Sequence, residues 1–216
     1  VTVSANGTFS DKNVGAGKAV TLASTNGGAD AGNYTITNQG STTASITPKA
    51  LTVSGVTVDD KVYDGNTAAT LSTAGAVLNG LVAGDVVTVS ASGSFADKNV
   101  GAGKTVNLSS TNGGVDAGNY AITNQSSSTA SITPKALTVS GVAAGDKVYD
   151  GNTTATVDTT GAVLNGLVAG DVVTVSSSGT FGDKNVGADK AVTLASTNAG
   201  TDAGNYTITN QSNTTA

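Results

Sequence analysis

Tandem immunoglobulin-like β-sandwich repeats are the fold this sequence predicts. Three observations predict it: a residue vocabulary of strands and turns, an internal repeat without insertions, and alternating segments that recur within each repeat. The chain has 216 residues and contains no Cys, His, Met or Trp. Every base is Lys and every acid is Asp. Val and Thr, branched at Cβ, suit a pleated strand, while Gly, Asn, Asp and Ser suit turns. Strong helix formers other than Ala are scarce, so the chain reads as all-β.

The repeat fixes the organisation. Asp-Lys-Asn-Val-Gly begins at Asp11, Asp97 and Asp183, and Asp-Ala-Gly-Asn-Tyr at Asp30, Asp116 and Asp202. Val-Tyr-Asp-Gly-Asn-Thr begins at Val62 and Val148, and Thr-Pro-Lys-Ala-Leu-Thr-Val at Thr47 and Thr133. Each recurrence is 86 positions after the last, with no insertion or deletion. Solenoid coils take roughly 20–45 residues, so this period predicts a globular module per repeat. Pro48 and Pro134 each precede an alternating apolar run and suit the entry to a first strand. Boundaries placed there give 1–47 as the C-terminal half of a repeat, 48–133 as a complete repeat and 134–216 as a nearly complete one.

Within the complete copy, period-2 alternation between turn signals predicts strands at 50–56, 67–71, 76–78, 85–91, 104–109, 119–124 and 129–133. That density is expected of an immunoglobulin-like sandwich. The inward set is Leu51, Val53, Val87, Val89, Val106, Leu108, Tyr120, Ile122 and Ile132, completed by Leu78, Leu81 and Phe95. Such a thin core predicts modules that are marginally stable alone and lean on their neighbours.

Asp-x-Gly-x-Tyr entering the penultimate strand has the form of a tyrosine corner, in which the phenol hydroxyl ties back to an upstream backbone group. Asp30 with Tyr34, Asp116 with Tyr120, and Asp202 with Tyr206 supply it three times.

Composition also removes functions. A formal charge of −5 without a basic cluster argues against nucleic acid as a partner. The apolar runs are too short for membrane insertion. No secretory leader is visible, and Val1 does not look like a natural start. Without His or Cys there is no Ser-His-Asp or Cys-His set and no zinc site built on those residues, so an enzyme is not expected. Gly101-Ala102-Gly103-Lys104-Thr105 resembles the end of a phosphate-binding loop, but the motif needs Gly at position 98, which is Lys. Its copies lose the hydroxyl at Ala19 and Ala191 and the second Gly at Asp189, so the pentad reads as a hairpin turn.

Three candidate sites remain. Asp59, Asp60 and Asp64, with Asp116 near, are the oxygen ligands a calcium ion would take. Gly145 replaces Asp59 in the next copy, and the competing role for these side chains is turn capping. Tyr63 and Tyr149, expected at the surface of the Tyr-Asp-Gly turn, are the candidate binding contacts. Lys49 or Lys135 with Asn124 or Asn210 would be the partners of an intramolecular isopeptide bond. No cofactor other than calcium is implied.

Asp60-Lys61-Val62-Tyr63-Asp64-Gly65-Asn66-Thr67, Gly80-Leu81-Val82-Ala83-Gly84-Asp85, Phe95-Ala96-Asp97-Lys98-Asn99-Val100-Gly101 and Asp116-Ala117-Gly118-Asn119-Tyr120, closed by Ile132-Thr133-Pro134-Lys135-Ala136-Leu137, resemble the YDG repeat. That family stands in tandem in filamentous-haemagglutinin-like surface adhesins of Gram-negative bacteria. The resemblance covers the whole chain. It implies an extracellular fibre at the bacterial cell surface, secreted across the outer membrane and used in attachment or biofilm matrix. A Cys-free chain, with no disulfide to trap it during export, is in keeping with that. The expected function is a structural spacer whose partners are neighbouring repeats of the same chain. The alternatives are repeats that each bind glycan or another fibre weakly, with avidity from repetition, or segments of an assembled filament.

Overall fold

Alternation in Lys49–Ser54 (Lys-Ala-Leu-Thr-Val-Ser) turns Leu51 and Val53 to one face, where both are buried, and leaves Ala50 and Thr52 on the other. This pattern recurs along a computed structural model that describes residues 1–216. The chain is all-β, with three single-turn 3-10 segments and no α-helix. It falls into two compact units: 1–57, 72–92 and 109–126 form the first, and 58–71, 93–108 and 127–216 the second. The sequence boundaries at 47/48 and 133/134 therefore each lie inside a unit.

In the first unit, Thr2–Phe9, Gly15–Gly27 and Ser41–Ile46 form an antiparallel sheet with a bulge between Gly15 and Lys18. Lys49–Ser54 then becomes the centre of a mixed sheet. It pairs parallel with Tyr120–Thr123 and antiparallel with Val77–Asn79. Leu51, Val87 and Tyr120 are the buried centre here, with Leu78, Leu81, Ala117 and Ile122 against them.

The second unit repeats the mixed sheet with Lys135–Ser140 between Tyr206–Thr209 and Val163–Asn165. Its antiparallel sheet is Thr154–Ala155, Thr174–Phe181, Ala191–Ala199 and Asn213–Thr215. One buried cluster, Val139, Val142, Ala155, Phe181, Val192 and Leu194, lies within the third repeat. The other joins Tyr63, Phe95, Val106, Ala130 and Ile132 of the second repeat to Leu137, Val173 and Tyr206 of the third. Apolar burial thus runs across the repeat boundary, and the thin core of one repeat is completed by the next.

Every residue of the predicted core is buried or half-buried, and Val56 and Tyr63 join it. Strand bounds shift more. The segment expected at 67–71 is two short pieces, Ala68–Ala69 and Leu71–Ser72, and the strand expected from 85 begins at Thr88. The strand expected at 104–109 is Gly101–Gly113. Its first residues hold the phosphate-loop lookalike, which is not the hairpin turn expected. It is a bulged strand start, with Gly103 at φ +58° and a register shift between Gly101 and Lys104.

Candidate functional site

The densest polar cluster is the place where two repeats meet. Its first component is the turn after Phe95. Asp97 accepts the Asn99 N–H at 2.8 Å and the Lys104 ammonium at 2.7 Å, which fixes the turn and projects Lys98 away from it. Its second component is the loop Asp202-Ala203-Gly204-Asn205-Tyr206 of the next repeat, a 3-10 turn that runs into a strand.

In the second unit these parts interlock. Lys98 Nζ lies 2.9 Å from Asp171 Oδ1 and 3.1 Å from Asp202 Oδ1. Asn205 Oδ1 accepts the Val100 N–H at 2.9 Å, and its amide donates to Asn99 Oδ1 at 3.3 Å. Two phenols converge on Asp171 Oδ2: Tyr63 from the second repeat at 2.8 Å and Tyr206 from the third at 2.6 Å. Their rings meet edge to face with centroids 5.5 Å apart. The Lys98 ammonium sits 5.8 Å from the Tyr63 ring centre.

The first unit repeats the ion pairs, the asparagine bonds and the tyrosine–aspartate bond within a repeat from equivalent residues. Lys12 Nζ lies 2.6 Å from Asp85 and 2.8 Å from Asp116. Asn119 accepts the Val14 N–H at 2.9 Å and donates to Asn13 at 3.2 Å, and the Tyr120 hydroxyl donates to Asp85 at 2.6 Å. These contacts therefore recur at equivalent positions in both units.

Electrostatics hold each group in one state. Lys12 beside Asp85 and Asp116 keeps both carboxyls below their usual range. Burial alone would push Asp171 up, but the donors Tyr206, Lys98 and Tyr63 outweigh it and lower it. Asp202 is lowered by the Val172 N–H and by Lys98. Burial and the adjacent Asp171 carboxylate push the Tyr206 phenol up to about 12. Lys98 is raised by Asp171. Ionised carboxylates, a charged lysine and neutral phenols suit a permanent contact.

The tyrosine-corner residues take more specific roles than expected. The Tyr120 and Tyr206 hydroxyls do accept from upstream backbone, the N–H groups of Val82 at 3.0 Å and Val168 at 2.9 Å. Those groups lie 38 positions upstream, and each hydroxyl also donates across to the Gly-Asp turn. Asp116 and Asp202 bind the N–H groups of Val86 and Val172 and the lysine of the preceding repeat. Tyr34 is 65% exposed, and Asp30 is exposed beside it.

Three expectations are corrected. Tyr63, expected at the surface, is 1% exposed, because its hydroxyl is satisfied by Asp171 and its ring by Tyr206 and Lys98; Tyr149 is 57% exposed. The calcium residues do not converge: no group of three or more acidic side chains does. Asp60 accepts the Ser131 N–H at 2.6 Å, Asp64 pairs with Lys61 at 2.7 Å, Asp59 is exposed, and Asp116 is held by Lys12. The isopeptide pair is separated by register. Lys49 stands opposite Tyr120 and Lys135 opposite Tyr206, four positions short of Asn124 and Asn210, about 13 Å at strand rise.

Sequence reasoning missed Lys98, Asn99 and Asp171 and their equivalents Lys12, Asn13 and Asp85. The signal was available, since Asp-Lys-Asn-Val and Ala-Gly-Asp recur in every copy that spans them. It also missed Gln125 and Gln211. Gln125 accepts the Val56 N–H and donates to the Val56 carbonyl, both at 3.0 Å; Gln211 does the same for Val142 at 3.0 and 2.8 Å.

The model of the YDG domain matches residues 1–44, 47–130 and 133–215. No curated protein and no solved structure matches the chain.

Proposed function

Since the chain belongs to the YDG domain family, we propose that it is a spacer: a series of coupled β modules forming the stalk of an extracellular adhesin of the filamentous-haemagglutinin-like kind. The recurring joint carries this reading. Lysine, asparagine and tyrosine of one repeat engage aspartate, asparagine and tyrosine of the next, so the sequence motifs are spent on neighbours of the same chain. The strongly placed groups of the joint are engaged in ion pairs and hydrogen bonds between repeats, which supports a structural role. Secretion to the cell surface belongs to the same proposal and is supported by family and composition.

The module itself is proposed to be an immunoglobulin-like variant. Two larger sheets and a two-stranded ribbon in each of the second and third repeats support that description, and the parallel pairing of the first strand departs from an all-antiparallel sandwich.

Small-angle scattering on the 216-residue chain tests the spacer reading. A rod-like profile is expected, and a globular one overturns it. Surface proteolysis of cells producing the parent protein tests location: release of YDG-reactive fragments from intact cells is expected, and full protection overturns the extracellular assignment.

A further inference from the structure

In the second and third repeats two lanes of chain run side by side in the same direction. In the second repeat, Lys49–Ser54 pairs parallel with Tyr120–Thr123, Lys49 opposite Tyr120 and Thr52 opposite Thr123. Lys61 and Val62 pair parallel with Ile132 and Thr133. The separation is 71 positions in both ladders. In the third repeat Lys135 stands opposite Tyr206 and Thr138 opposite Thr209, again 71 apart. Where the first ladder ends, a side chain continues it: Gln125 binds both the N–H and the carbonyl of Val56, and Gln211 both of Val142.

The lane at 49–54 is the one by which the chain enters the repeat, and the lane at 120–133 is the one by which it leaves. Tension along the chain draws the entering lane from its N-terminal end and the leaving lane from its C-terminal end. Because the lanes are parallel, those pulls oppose each other along the strand axis. The evenly spaced bonds of a parallel ladder then carry load together, in shear, and no single end bond can open first. An antiparallel hairpin pulled at its open end would unzip one bond at a time. The buried faces of Leu51 and Val53, and of Leu137 and Val139, must also slide out of apolar contact.

We infer that each repeat is a mechanical clamp, in which the parallel pair of entry and exit lanes, with its glutamine bridge, resists extension of the chain. The inference rests on the spacer reading for its purpose and not for its geometry. Forced unfolding is governed by the barrier rather than by equilibrium stability, so an acidic, thin-cored module can be marginally stable and still hold tension.

Single-molecule force spectroscopy on the full chain tests it through pairs of exposed positions. With handles on A50C and S126C, the ladder is sheared. With handles on A50C and A121C, two residues directly opposite in register, the same ladder is peeled from one end. The expected result is a rupture force several-fold higher in the first geometry at equal loading rate. Q125A, with its circular dichroism unchanged, is expected to lower the shear force and leave the peeling force alone. Equal forces in the two geometries overturn the clamp, as does an unchanged shear force in Q125A for the bridge. Neither outcome bears on the scattering experiment that tests the spacer reading, so the two can fail separately.

Discussion

The Tyr63 hydroxyl donates to Asp171 Oδ2 at 2.8 Å, so the Tyr-Asp-Gly turn of one repeat is fastened to the Gly-Asp turn of the next. The same oxygen receives Tyr206 at 2.6 Å, from within its own repeat. One carboxylate therefore records both the closure of a module and its attachment to its neighbour.

Tyr63→Phe removes the inter-repeat donor and keeps the buried ring. Loss of a hydrogen bond to a charged acceptor should destabilise by about 1–3 kcal/mol in urea unfolding. Tyr149→Phe, at the equivalent but 57% exposed side chain, should change stability by no more than about 0.5 kcal/mol. Equal effects of the two substitutions would contradict the joint.

Lys98 faces two aspartates, and its side chain is 38% exposed against 3% for Asp171. Salt should weaken the exposed part of this contact. Wild-type Tm should fall modestly as sodium chloride is raised at constant pH. Lys98→Ala should start lower and show a smaller salt response. Differential scanning calorimetry reads both, and parallel salt curves for the two proteins would exclude Lys98 as a contributor.

The pH dependence follows from the directions of the shifts. Asp85, Asp116, Asp171 and Asp202 are lowered in the fold, so the stability they add is present above the ordinary aspartate range near 4 and disappears as pH falls through their folded values. Tyr206 is raised to about 12, so the unfolded chain loses that proton first, and stability declines as pH climbs from the ordinary phenol value near 10. Chemical denaturation should give a plateau between about pH 5 and 9, with losses at both ends. A midpoint that rises below pH 4 would be incompatible with this joint.

Gly114 holds φ +104°, and a Cβ there would lie 2.3 Å from the Val86 carbonyl oxygen, which accepts the Asp116 N–H at 3.2 Å. Gly114→Ala combines a left-handed backbone with a backbone clash and should destabilise by more than about 1 kcal/mol. Gly118→Ala, whose Cβ meets nothing within 4 Å, is the control and should be well tolerated. Thermal melts monitored by circular dichroism distinguish the two.

The sequence by itself determined strand content, repeat number and most of the core. Period-2 alternation such as Leu51 and Val53, and Gly-Asp or Asn-Gly turns, act over a few residues and are visible wherever the chain is read. The tertiary structure decided what the recurring motifs contact. Lys98 is 73 positions from Asp171, Tyr63 is 108 from the same residue, and Asn99 is 106 from Asn205. Nothing local distinguishes a lysine that will meet two aspartates from one that solvates a turn, so Tyr63 read as a surface contact and Asp116 as a calcium ligand. The parallel direction of the lanes was hidden for the same reason. Alternation gives the face of a strand and is silent about which strand lies beside it and which way that strand runs.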